Sequence, residues 1–150
     1  MKNEKKCQNL SLVISMEQKN HNRDRKLVGA RKTVNWSKMS TSYSKFGVET
    51  ALEEGLSLEQ MGERVHDNWM IAVSKLWFMI DVMNYSVEGG YTAEKRASHE
   101  TMCVEYANLP RDEQLKDLFV AKTLLSESDW KRLSEGTDVE REFEERNIGW

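Results

Sequence analysis

SLEQMGERVHDNWMIAVSKLWFMIDVM, residues 57–83, is the stretch whose reading decides the fold. Ser57 and Gln60 have the spacing of a capping box, in which the serine hydroxyl accepts a first-turn N–H while the glutamine reaches back. Leu56 and Met61 stand where a hydrophobic staple would close. Leu58, Met61, Val65, Trp69, Ala72, Leu76 and Ile80 then recur at intervals of three and four, which predicts a helix running to about Asn84. From Trp69 to Met83 twelve of fifteen residues are apolar, so one contact face cannot hide them all. The covering surface must come from other helices, the N-terminal arm or a second subunit. Burying a Trp, Phe or Met contributes ~1.5–3 kcal/mol, and Trp77, Phe78 and Met79 are therefore the expected interface of a helix-mediated homodimer. The stretch falls short of the ~18 residues of a membrane span and contains Lys75 and Asp81, so a buried helix is expected, with no membrane partner.

Working toward the C-terminus, Gly89-Gly90 interrupts helical backbone, and Thr92 can cap a helix from Ala93 to about Cys103. Pro110 suits the first turn of the next helix, with Asp112 and Glu113 at the positive end of its dipole. Leu115, Leu118, Phe119 and Leu125 form its buried stripe. Ser126 with Asp129, and Thr137 with Glu140, mark two short helices ending near Asn147. The expected class is all-α, a small helical domain of about four to five helices preceded by a weakly ordered basic N-terminal arm.

Toward the N-terminus, residues 1–46 lack a sustained helical period. Leu10, Leu12, Ile14 and Met16 alternate as in one strand, and Trp36, Tyr43 and Phe46 are candidate isolated anchors. Residues 1–50 carry eleven Lys/Arg against four Asp/Glu, a balance of +7, whereas residues 51–150 carry eleven against twenty-one, a balance of −10. Such an arm can contact a polyanion, fold back on the acidic body or keep the chain dispersed. Arg23, Arg25, Lys26, Arg31 and Lys32 close to Trp36 would suit phosphate and base-stacking contacts, the alternative nucleic-acid reading. The organisation expected is a basic arm over 1–56, a helical domain over 57–125 and a helical extension over 126–150. At 150 residues the chain has room for one ordinary core. Cys7 and Cys103, with no CxxC or Cys/His cluster, suggest thiols in a reducing compartment. The charged start, without a cleavage-like sequence, suggests a cytoplasmic protein.

Two segments together resemble a known family. LEQMGERVHDNWM at 58–70 is followed by VEYANLPRDEQLKD at 104–117, an order and separation similar to the ryanodine-receptor repeat domain in its small bacterial and bacteriophage form. That form has a helical His-x-x-Trp segment, a Pro-Tyr-x-x-Leu turn and a helix with an acidic start and a Lys-x-Asp or Lys-Asp-Arg element. The resemblance spans roughly residues 57–125, about half the chain. Glu105 stands in place of the family's proline, and Leu118 in place of the arginine that often follows Lys-Asp. The resemblance implies a module of the kind found in calcium-release channels and prokaryotic conflict systems, taking a nucleotide-derived ligand in a bacterium or phage-infected host. It nominates His66, Trp69, Tyr106, Lys116 and Asp117 as ligand-binding residues.

Each nominated residue also has a packing role open to it. His66 and Trp69 are three apart and share a helix side; they could face a planar ligand with Tyr106, or Trp69 could be core while His66 bonds a backbone carbonyl and Tyr106 pins the turn before Pro110. Lys116 and Asp117 could face a pocket or solvent. The three histidines lack metal-site spacing, and GxSxG, P-loop and GxGxxG patterns are missing. Cys103 with His99 one turn back is the sole nucleophile pair, and an incidental spacing is the commoner origin of such a pair. The expectation is a non-enzymatic binding protein with no cofactor and no metal.

Overall fold

The computed structural model describes residues 32–149. Among these residues six α-helices carry most of the chain: α1 Trp36–Glu54, α2 Leu58–Asp81, α3 Ala93–Thr101, α4 Arg111–Leu124, α5 Glu127–Ser134 and α6 Val139–Glu145. A 3-10 turn occupies Tyr106–Asn108, and two-residue strands β1 (Thr33–Val34) and β2 (Ser86–Val87) pair in parallel, Thr33 with Ser86 and Val34 with Val87. The class is all-α. The described chain divides into two units, one of residues 32–41 with Met70–Glu105, the other of Ser42–Trp69 with Tyr106 to residue 149.

The second unit contains the residues nominated as ligand-binding. Its α2 begins with the expected capping box: Ser57 N donates to Gln60 Oε1 at 2.9 Å, and Gln60 N donates to Ser57 Oγ at 3.3 Å. One buried cluster joins Leu58, Leu115, Leu118, Trp130, Val139 and Phe143; a second joins Val48, Ala51, Met61, Val65 and Ala121. Gly62 lets α4 and the 3-10 turn approach α2, because a Cβ there would lie 2.7 Å from Leu118 Cδ2 and 2.9 Å from the Tyr106 hydroxyl. Overpacking costs ~1–3 kcal/mol, and the better helix propensity of alanine returns up to ~1 kcal/mol. Gly62→Ala should therefore lower stability by about 1 kcal/mol in urea unfolding; an unchanged or raised midpoint would contradict this close approach.

In the first unit, α3 is capped by Thr92, whose hydroxyl accepts from Lys95 N at 3.1 Å. Helix α2 ends at Asp81, slightly before the expected Asn84, which adopts a left-handed φ of 54°. Trp77, taken above as needing a partner's surface, is 2 % exposed in the single chain. That expectation is corrected: the residues of its own chain cover Trp77, which has no surface left for a dimer. Phe78 and Met79 are half-buried.

Three further expectations change. Residues 36–46 are helical rather than part of an irregular arm, so Trp36, Tyr43 and Phe46 are positions on α1, one of six helices among the described residues. Pro110 sits one residue before α4 and supplies the carbonyl that accepts from Glu113 N and Gln114 N. Asp138 rather than Thr137 holds the N-cap position of α6, without a side-chain cap bond; the Thr137 hydroxyl donates back to Ser134 O at 2.6 Å and accepts from Val139 N at 3.5 Å, while Ser126 does cap α5 by accepting from Asp129 N at 3.2 Å. The proposed strand at Leu10–Met16 and Cys7 lie outside the described residues; Cys103 is buried.

Candidate functional site

The residues nominated from sequence meet in the second unit, with one exception. His66, one turn before the half-buried Trp69 on α2, is 3 % exposed and stacks on it, with centroids 5.8 Å apart and planes 17° apart. Tyr106 approaches the same imidazole at 6.4 Å and 52°. From α4, Asp117 places Oδ2 3.4 Å from His66 Nδ1. Burial raises the Asp117 carboxyl above its ordinary range, and the neighbouring His66 pulls in the opposite direction. Lys116 is the exception: its ammonium is 62 % exposed and donates to Glu113 Oε1 at 2.9 Å, within the same helix.

Around Tyr106 lies a polar network that sequence reading missed. The buried phenol donates to Glu59 Oε2 at 2.7 Å, and Gln114 Nε2 donates to the Tyr106 carbonyl at 2.8 Å. Burial first, and then the bond to the Glu59 carboxylate, hold the phenol far above its ordinary pKa, so it stays protonated. Arg111 ties the network together. Its Nε and NH2 donate to the two oxygens of Glu142 at 2.7 and 3.0 Å, NH2 also meets Glu59 Oε1 at 2.8 Å, and NH1 reaches Gln114 Oε1 at 3.1 Å. These bonds raise the Arg111 pKa and hold the Glu142 carboxyl below its ordinary value. The two carboxylates that Arg111 joins, Glu142 and Glu59, are 31 and 52 residues away from it, so no local spacing announces them.

Beside the network an open cleft of about 430 Å³ is lined by Leu58, Leu133 and Val139, by Ser57 and Thr137, and by the charged Glu59, Arg111, Arg132, Asp138 and Glu142. Glu59 and Arg111 thus face the cleft and also hold Tyr106. The imidazole of His66 leans on a carboxylate as a general base would, yet its ring is closed in by Trp69, Tyr106 and Asp117. The ring is therefore packed, with little surface left uncovered.

Other candidates are placed as follows. Of the basic arm, Arg23, Arg25, Lys26 and Arg31 lie outside the described residues; Lys32 is exposed and Trp36 packs against His99 with centroids 5.6 Å apart. Among the described residues there is no group of three or more His, Cys, Asp or Glu able to hold a metal ion, and no helix long and apolar enough to cross a membrane. Comparison with protein-family models, curated proteins and solved structures found no match to this chain.

Proposed function

We propose that the chain is a non-enzymatic binding module of the ryanodine-receptor repeat type, which senses or sequesters a small nucleotide-like ligand in the cytoplasm of a bacterium or phage-infected host. The observation that carries this reading is the convergence of His66, Trp69, Tyr106 and Asp117 beside a cleft that shares Glu59 and Arg111 with them. Of the apolar lining, Leu133 is left for a base to lie against, since Leu58 and Val139 belong to the buried cluster. Ribose hydroxyls donate to the carboxylates of Asp138 and Glu142, and Arg132 meets a phosphate. Arg111, already committed to Glu59 and Glu142, shapes the cleft instead of binding the anion.

Thermal-shift measurements with cyclic and linear nucleotides test this. A ligand at about 100 times its Kd adds about 2.7 kcal/mol of stability. Arg132→Ala, on an exposed side chain, should leave the apo protein unchanged and weaken that stabilisation. If no nucleotide stabilises the protein, the reading is wrong.

A second reading is a homodimer, favoured by one observation within the first unit: Phe78 and Met79 are half-buried and Ile71 is 42 % exposed on the same helix. Phe78→Glu should then give a helical monomer from a dimeric wild type in sedimentation. A wild type that is monomeric at high concentration removes this reading.

A further inference from the structure

In the first unit a hydrogen-bond chain runs from Trp77 through Tyr91 to His99, and the indole fixes the direction of its first link. An indole N–H has only a proton to give, so Trp77 Nε1 donates to the Tyr91 hydroxyl oxygen, at 2.9 Å. The phenolic oxygen has a second lone pair, so its 2.9 Å contact with His99 Nδ1 takes its direction from the imidazole tautomer. With the ring proton on Nε2, Nδ1 accepts the phenolic proton and His99 is neutral, the arrangement that joins all three residues in one donor-to-acceptor chain.

The surroundings hold the chain in place. The His99 ring lies between Trp36 and Tyr91, each with its centroid 5.6 Å away and tilted by 47° and 42°. Arg96 lies 5.3 Å over the Trp77 ring and is anchored to Asp81 by bonds of 2.9 and 2.5 Å. Among the described residues, the charged and titratable groups around His99 and Tyr91 include Lys95, Arg96 and Glu100 from α3, Cys103 just beyond it, and Asp81 of α2 acting through Arg96. Trp36 of α1 contributes an uncharged ring.

We propose that His99 is a proton-controlled latch: uptake of one proton at Nδ1 removes the acceptor of the Tyr91 hydroxyl and loosens Tyr91 and α3 from Trp77 on α2. The imidazolium can only donate at Nδ1. It then points a proton at an oxygen already accepting from the indole, and the phenolic proton loses its partner. Burial first, then the positive charge of Lys95, lower the His99 pKa from its ordinary 6.5. The folded state therefore favours the neutral ring. Its contribution is fully present above 6.5 and is lost as pH falls through the lowered folded value.

Nuclear magnetic resonance on the full chain tests the latch. At neutral pH the ring carbon and nitrogen shifts of His99 should report the Nε2–H tautomer. Exchange protection of the Trp77 indole proton, corrected for its intrinsic pH dependence, should fall as His99 titrates, by up to about tenfold for each unit that its pKa lies below 6.5. Tyr91→Phe removes the oxygen that links the two rings and should make indole protection insensitive to the His99 titration. An Nδ1–H tautomer at neutral pH, or indole protection that ignores the titration in the wild type, overturns the proposal; both readouts stand whether or not the variant folds.

Discussion

Replacing Leu118 with alanine should destabilise the protein by about 2–5 kcal/mol, the range for deleting a large aliphatic side chain from a closed core. Leu118 is fully buried and belongs to the cluster of Leu58, Leu115, Trp130, Val139 and Phe143, which draws on α2, α4, α5 and α6. It also fills the space that Gly62 leaves on α2. Little relaxation is available, because Phe143 is itself pinned between Phe119, at 5.5 Å edge-on, and Trp130, stacked at 6.1 Å. Leu118→Met, which conserves volume, should cost less than about 1.5 kcal/mol. Urea unfolding of the two variants beside the wild type measures the difference. Equal losses would mean that the site is not closely packed.

Arg111→Ala should cost about 2–3 kcal/mol. Breaking a buried ion pair costs ~3–5 kcal/mol, and the partial exposure of the Arg111 and Glu59 side chains reduces that figure through solvent screening. The variant leaves Glu59 and Glu142 facing one another without their shared cation, and frees Gln114, which holds the Tyr106 carbonyl. Arg111→Lys should recover only part of the loss, because an ammonium cannot reproduce the fork that meets both oxygens of Glu142. The pH dependence carries the same signature. Arg111 lowers the Glu142 pKa below 4.5, so this contribution is present above 4.5 and disappears as pH falls through the lowered folded value. In Arg111→Ala that part of the acid-side loss should be missing when unfolding is followed from neutral to acid pH.

The parts of the fold that sequence reveals are those carried by local signals. The capping box at Ser57 and Gln60, the caps at Thr92 and Ser126 and the stripe of Leu115 and Leu118 act within one or two helical turns, and each appears where its spacing predicts. Helix α1 was hidden because its buried stripe is Ser44, Gly47, Val48 and Ala51. These positions have helical spacing but small side chains, which a reading based on apolar bulk passes over. Small size is what the packing requires: a Cβ on Gly47 would lie 3.0 Å from Asn68 Nδ2, the atom that donates to the Tyr43 carbonyl at 3.0 Å. Its ends did carry signals. Asn35 Oδ1 accepts from Lys38 N at 3.0 Å, and Gly55 terminates the helix with a φ of 69°.

The candidate site was legible to a different extent. The resemblance picked out His66, Trp69, Tyr106 and Asp117, which meet, but could not foresee that Lys116 turns outward to Glu113. The Glu59–Arg111–Glu142 bridge and the hydrogen-bond chain at Tyr91 left no trace in local spacing. Each joins residues whose charges or hydroxyls look like ordinary surface groups until the fold brings them together.

Titrating nucleotides into isotope-labelled full-length protein, with every backbone amide and tryptophan indole followed by nuclear magnetic resonance, puts the binding module to the test. Saturable shifts confined to the residues lining the cleft and to Tyr106, Trp69 and their neighbours are the predicted result. No saturable shift with any nucleotide, or shifts only at residues remote from that cleft, would contradict it.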